Sequence, residues 1–580
     1  MNRKKTTMNV PAHLKPYISQ QHYESYTPID HAVWRFVMRQ NHFFLKKIAH
    51  PAYVNGLEQS GIKTESIPKV EEMDASLASV GWGAVSIDGL IPGSAFYSFL
   101  ANGILPIATE VRKLQNIAYT PAPDMLHEAA GHAPILLDQT YREYVKKIGM
   151  MGSFALSSKE KLDVFRAVRH LTIVAEDPAS TPEQVKLAEV KVAEARKKVK
   201  SLAEADYISR LFWWTVEYGL IGDLKKPKIY GAGLLSSVGE SQSCLEEDVR
   251  KIPFSVEECI KTPYDVTKPQ PQLFVCRNFE ELVEEIEKFA ATMAFRKGGT
   301  ESLEKALQSD HTATIVYSSG LQVTGTLSTI IKDRNGEAVY IRTKGPTALS
   351  INNQQLPSHG KETHHKGFGA PIGVLEGNRS LENCTSQQLE ELEIVERGKA
   401  CLNFESGVKV EGTVKGILWS SGHPIVISFK DCMVTYQDQV LFDKEWGIFD
   451  MPVGAKITSV FAGAADPNAY FDLQNEKEVE GLVEMRSLTE LEHLYAQVRK
   501  IREQDQWNQE SLFQINEIIT LIDHQYPNDW LLRLEILELL NKYNTTGISI
   551  RPVVESLKNT DWEKSISQMI ERGLMLINEL

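Results

Sequence analysis

The rhythm of apolar positions changes twice along the chain. From Ala32 onward, Val33, Phe36, Val37, Phe43, Phe44 and Ile48 recur at helical spacing, which predicts an amphipathic helix after a poorly ordered arm over residues 1–25. GWGAVSIDGLIPG (residues 81–93) predicts a loop or short strands. Residues 205–224, with FWWTVEYGL inside them, predict a strongly apolar helix. Residues 229–240 read as a Gly/Ser-rich loop, and residues 279–295 as another helix closed by Gly298-Gly299. Between these, residues 157–204 are charged. Val185, Ala188, Val192, Ala195 and Val199 fall three or four apart there, as one arm of a projecting helical hairpin would place them.

Residues 311–465 alternate apolar and polar positions at period two, with turn signals such as Arg334-Asn335-Gly336, and predict a β-rich domain. A weak internal repeat aligns residues 317–327 with 404–414 and 338–341 with 424–427. Residues 478–580 return to helical spacing. Leu488, Leu491, Leu494, Val498 and Ile501 form a stripe suited to packing or association. The fold class is therefore multidomain: a mostly α-helical domain over 26–300, a β-rich domain over 311–465 and an α-helical C-terminal region over 478–580.

With 63 Lys+Arg against 76 Asp+Glu, the net charge of −13 disfavours a phosphate-backbone partner. Six cysteines without a CxxC pair argue against a zinc ribbon or a thioredoxin-type site and for reduced, buried thiols. The absence of a long apolar run or a signal-peptide core predicts no membrane segment and a cytoplasmic location.

The sharpest chemical signal is Pro123-Asp124-Met125-Leu126-His127-Glu128-Ala129-Ala130-Gly131-His132. Two imidazoles close together suit a transition metal. At i, i+5 they stand about 140° apart on an ideal α-helix, so they converge only if the helix ends or distorts between them. Gly131 permits distortion, and Pro134 predicts a stop. Asp124 can cap the helix that follows it. Glu217, a carboxylate within an apolar helix, is costly to bury unless paired or metal-bound, which makes it the candidate third ligand. Two histidines and one carboxylate on one side of an ion describe a non-haem iron(II) oxygenase site.

PDMLHEAAGH, then WWTVEYGL and YGAGLLSSVGE in that order, preceded by YTPIDHAVW and followed by KFAATM, resemble the pterin-dependent aromatic amino acid hydroxylases, above all their bacterial phenylalanine-hydroxylating members. The likeness spans about residues 20–298. It implies a catalytic domain that uses Fe(II), a tetrahydropterin such as tetrahydrobiopterin, and O2 to hydroxylate the ring of an aromatic amino acid. By position it assigns His127, His132 and Glu217 to iron. Arg112 falls on the substrate carboxylate; Thr120 and Ser236 help hold the amino acid; Pro123 and Trp213 wall its aromatic pocket. Gly83, Val85, Leu90 and Ile91 lie on the pterin loop, with Glu128 beside the pterin. Asp124 falls on a group that orients a ligand imidazole.

Two other readings stay open: a zinc hydrolase using the HExxxH string with Glu128 as base, and a binding or scaffold protein carrying an inactive hydroxylase domain. Residues 300–580 resemble nothing in the family. His359, His364 and His365 invite a metal reading, against which flexible loop histidines are the plainer account.

Overall fold

Thr27 opens the first long helix, Pro28–Ile48, with a reciprocal capping box. The Thr27 hydroxyl accepts from the Asp30 amide at 3.1 Å, and the Asp30 carboxylate accepts from the Thr27 amide at 2.9 Å. The computed structural model describes residues 9–89, 91–117, 123–176, 181–266, 268–471, 487–504, 507–543 and 550–579. Thr120 and Leu90 lie outside the described residues.

The Pro28–Ile48 helix is buried almost all round from Asp30 to Met38, because structure packs on both of its sides. On one side lies the helical body of the first half. There Gly83–Ile87 pairs in parallel with Ile104–Ala108. A second, four-stranded sheet runs in the order Lys226–Ile229, Leu220–Asp223, Gln272–Cys276, Arg250–Pro253. On the other side lie helices of the C-terminal region, among them Glu490–Glu503, Leu531–Lys542 and Lys564–Glu579. Phe36 meets Trp530 edge to face, with ring centroids 5.1 Å apart. Arg35 and Glu535 are both buried and bonded through two parallel contacts, Nε to Oε1 at 3.0 Å and Nη2 to Oε2 at 2.6 Å. Arg502 reaches Glu538 at 3.0 Å, and Arg39 pairs with the same carboxylate.

Residues 312–462 form two antiparallel sheets. The first runs Gln354–Gln355, Ala338–Ile351, Leu321–Lys332, Thr312–Tyr317, Ile457–Ala462, with Gly369–Pro371 also on Ala338–Ile351. The second runs Lys399–Asn403, Val408–Ser420, His423–Tyr436, Gln439–Phe442, with Phe449–Pro452 also on His423–Tyr436. The segments aligned as a repeat lie in different sheets. Their hairpins turn differently, through Asp333–Glu337 in one and Ser421-Gly422, both at positive φ, in the other.

Several local expectations need correction. Residues 9–25 are not a loose arm: Leu14 is buried, and Ser19 donates to the Ser86 carbonyl at 2.9 Å, anchoring the segment to the Gly83–Ile87 strand. The apolar helix after residue 204 ends at Glu217, and Leu220–Asp223 is already a strand. The Gly/Ser-rich stretch contains two short helices, Ala232–Ser236 and Glu240–Ser243. Pro134 does not stop the chain's helical course, which continues over Ala133–Ile135: the Ala130 carbonyl, four residues before the proline that has no N–H to give it, accepts from the Tyr53 hydroxyl at 2.7 Å instead. Cys401 is exposed, unlike the four buried thiols Cys244, Cys259, Cys276 and Cys432.

The charged stretch folds as two helices packed together, Lys159–Glu176 and Pro182–Lys198. The stripe residues Leu494, Val498 and Ile501 are buried, so that face is spent on packing within the chain. No helix among the described residues is long and apolar enough to cross a membrane.

Candidate active site

The i, i+5 histidines converge because the helix widens. His127–His132 is a π-helical turn, and its wider winding brings residues five apart onto one side. Trp213–Glu217, which ends in the carboxylate, is a second π-helical turn, closed by the Tyr218 amide on the Trp213 carbonyl at 2.8 Å. Buried hydroxyls support both turns: Tyr53 donates to the Ala130 carbonyl at 2.7 Å, and Thr215 to the Leu211 carbonyl at 2.6 Å. Gly131 serves a close approach. A Cβ there would sit 2.5 Å from the Ala232 carbonyl oxygen, so the ligand turn could not pack on the Ala232–Ser236 helix.

Four donor atoms from three side chains meet at the centre. His127 Nε2 lies 3.2 Å from Glu217 Oε2, His132 Nε2 lies 3.2 Å from Glu217 Oε1, and the two Nε2 atoms are 3.1 Å apart. Atoms held ~2.1 Å from one ion stand about 3.0 Å apart at a right angle and about 3.4 Å apart at the tetrahedral angle. The two imidazole nitrogens stand close to the right-angle spacing, and each faces a different oxygen of the Glu217 carboxylate. Ser236 sets the tautomer. Its hydroxyl donates to the Ala232 carbonyl at 2.8 Å, so toward His127 Nδ1, at 3.1 Å, it acts as acceptor. The His127 proton then sits on Nδ1 and leaves Nε2 free to bind a metal.

Burial pushes the Glu217 carboxyl up, but the facing imidazoles outweigh it and hold it well below the usual carboxylate range. Glu128, with Oε2 buried and unpartnered and 3.9 Å from His132 Nε2, is pushed up to about 8. Burial is the main cause; the His132 charge opposes it, and Glu217 and Asp124 add to it.

Asp124 works differently from the sequence expectation. It does not reach an imidazole. Its carboxylate accepts from the Arg112 side chain at 2.9 and 2.8 Å, from the Arg112 amide at 2.9 Å and from the His127 amide at 3.0 Å. It therefore caps the ligand turn and fixes the guanidinium at once. Burial raises its carboxyl, and Arg112 more than reverses this. Asp124 takes Nε and one hydrogen of Nη2, and Nη1 makes a long contact of 3.4 Å to the Ser236 carbonyl, so the Nη1/Nη2 edge of Arg112 is the side on which a second planar anion could be met.

Trp213 is sandwiched between Tyr218 and Tyr264, at 4.5 Å from each, so both of its faces are covered and only its edge is free. Neither tyrosine was singled out by spacing; Tyr264 comes from a distant loop, and nothing in its neighbours marks it. Pro123 is exposed at the start of the ligand helix. Gly83 and Val85 lie in a buried strand, where Val85 belongs to the core cluster of Leu14 and Phe99, and Ile91 packs partly buried against that cluster. Val85 thus contributes packing and offers no free contact to a cofactor ring.

The sequence profile of the biopterin-dependent aromatic amino acid hydroxylases matches residues 2–175 and 187–298. This half of the chain belongs to that family. The unmatched residues 176–186 include the start of the helix Pro182–Lys198. The domain is similar to the phenylalanine-4-hydroxylase of Mesorhizobium japonicum, with 29% identity over 277 residues, 47% of this chain and 84% of the relative. It is 27% identical over 272 residues to that of Ralstonia nicotianae, covering 46% of this chain and 73% of the relative. Among solved structures, Chromobacterium violaceum phenylalanine hydroxylase with bound iron(III) and 7,8-dihydrobiopterin aligns at 26% identity and a TM-score of 0.38, covering 48% of this chain and 85% of that one. The hydroxylase domain is phenylalanine-4-hydroxylase-like.

If Ser236 sets the His127 tautomer, Ser236→Ala is expected to weaken iron affinity by ~10–100-fold. Chelator competition on the full chain measures this, and unchanged affinity would remove Ser236 from that role.

Proposed function

We propose that the N-terminal half hydroxylates the ring of L-phenylalanine to give L-tyrosine, with His127, His132 and Glu217 holding iron(II), a tetrahydropterin as reductant and O2 as oxidant. The observation that carries this reading is the convergence of two imidazole nitrogens, 3.1 Å apart, on the two oxygens of one buried carboxylate, each at 3.2 Å. That spacing is short for a tetrahedral zinc hydrolase, and the intact donor set argues against a decayed scaffold domain. The unpartnered Glu128 Oε2 fits a pterin, whose amino and ring N–H groups need acceptors.

When bound, the iron and the reduced pterin supply activation of O2 and the electrons for it. The protein's own part is placement. Arg112, locked by Asp124, turns its Nη1/Nη2 edge to the substrate carboxylate, which takes the place of the long Nη1 contact to the Ser236 carbonyl, and a planar two-point contact fixes both position and orientation. The edge of Trp213, held rigid between Tyr218 and Tyr264, borders the space for the aromatic ring. Burial of His127, His132 and Glu217 keeps bulk water from the donor atoms. The choice of phenylalanine rests on the relatives named above.

Incubating the iron-loaded full chain with tetrahydrobiopterin, O2 and each aromatic amino acid in turn tests the reading. Tyrosine formation from phenylalanine at the highest kcat/KM is expected. Faster hydroxylation of tryptophan, or none of any ring, would overturn it.

A further inference from the structure

The loop SHGKETHHKGFG (residues 358–369) is not free. Its backbone is pinned along the strand Ala338–Ile351. The Leu349 amide donates to the His359 carbonyl at 2.9 Å, the Thr347 amide to the His364 carbonyl at 3.1 Å, and the Thr343 amide to the Phe368 carbonyl at 2.9 Å. These bonds turn two of the three loop histidines inward. His365 stays exposed, on the Glu362 carbonyl.

Facing them is Asp450, on the strand Phe449–Pro452 of the other sheet. Ser428, its cross-strand partner, donates to Asp450 Oδ1 at 2.5 Å and fixes the carboxylate plane. The other oxygen, Oδ2, lies 3.8 Å from His359 Nδ1 and 3.7 Å from His364 Nε2, and the two ring nitrogens are 3.5 Å apart. Asp450 is buried, and among the described residues no lysine or arginine pairs with it.

A buried carboxylate whose one oxygen is aimed between two imidazoles, too far from either for a good hydrogen bond, lacks a partner of opposite charge. A cation at the centre supplies one. The spacing differs from that of the iron donors in an informative direction. Separations of 3.5–3.8 Å exceed the ~3.0 Å of right-angle ligands and lie nearer the ~3.4 Å of tetrahedral ones, which a small inward closure of the three side chains on an ion would reach.

We propose that His359, His364 and Asp450 form a second metal site, for a zinc-type divalent ion in tetrahedral coordination with water in the fourth position. Ser428 acts as a positioning residue for the carboxylate. Because the histidines are tied to the first sheet and Asp450 to the second, the ion joins the two sheets. The proposal is independent of the reading of the hydroxylase site.

The test uses the full chain, stripped with chelator and then loaded with zinc(II) or cobalt(II) and separated from free metal. The expected result is two zinc equivalents per wild-type chain. His127→Ala, His364→Ala and Asp450→Asn should each retain one, and His127→Ala/His364→Ala none. Cobalt(II) in the His127→Ala chain should give the intense visible absorption of tetrahedral coordination, lost on adding Asp450→Asn. The isosteric Asp450→Asn variant should keep its circular dichroism and its hydroxylation rate, which separates loss of the site from misfolding. A His127→Ala chain that binds no zinc, or a His364→Ala chain that still binds two equivalents, would overturn the proposal, as would a weak octahedral cobalt spectrum.

Discussion

Exchanging His127 for alanine is expected to lower phenylalanine hydroxylation by at least ~100-fold, since loss of a direct ligand exceeds the ~10–100-fold cost of disturbing a group that merely orients one. The variant keeps Glu217 and His132, yet two donors hold one fewer corner and leave the Glu217 carboxylate less compensated in its buried position. Iron content and tyrosine formation should fall together. Hydroxylation at the wild-type rate would place the chemistry elsewhere.

A second large effect is expected far from the iron. Glu535→Ala leaves the buried Arg35 without its carboxylate partner and weakens the pairing of Arg502, at 3.4 Å from the same group. Removing one member of a buried pair costs about 3–5 kcal/mol. The urea midpoint followed by tryptophan fluorescence should drop accordingly, and an unchanged midpoint would show that the pair does not hold the helices together. The double variant Arg35→Met/Glu535→Leu should recover most of the loss, because the cost lies in the orphaned charge.

The same pair gives the docking a pH dependence. Burial raises the Glu535 carboxyl, but Arg502 and Arg35 outweigh it and hold it at about 2 against an ordinary 4.5. A depressed carboxylate contributes stability that is complete above pH ~4.5 and is lost as the pH falls from there through ~2. The C-terminal helices should therefore loosen in acid, visible as faster amide exchange over Leu531–Lys542. The consequence for the site is local: Arg572 donates to the Val238 carbonyl at 2.8 Å, and Asn41 to the Leu235 carbonyl at 2.9 Å, on either side of Ser236.

How much of this was legible in the sequence follows from which forces are local. Amphipathic spacing and capping residues act within a few positions, so the first long helix, the charged hairpin and the alternation of the β-rich half could be read directly. The histidine spacing required a distortion, and the structure supplies it as a π-helical turn, a choice fixed by Tyr53 and the Ala232–Ser236 helix rather than by the turn's own residues. Long-range pairings left no local mark. Asp124 seemed free to orient an imidazole until Arg112 proved to occupy it, and Trp213 seemed open to a ligand until Tyr264 covered one face. The stripe at Leu494, Val498 and Ile501 announced a contact without naming the partner, which is the first helix of the hydroxylase half. His359 and His364 looked like loop residues because the backbone bonds that aim them come from another strand.

The central claim is that one iron ion is held by two imidazoles and one carboxylate with its opposite side open. Anomalous scattering at the iron edge from crystals of the iron-loaded chain measures this most directly. A single strong peak in the hydroxylase half, within ~2.0–2.2 Å of His127 Nε2, His132 Nε2 and a Glu217 carboxylate oxygen, is the predicted result. A peak that any one of the three fails to reach, or none between them, would contradict it.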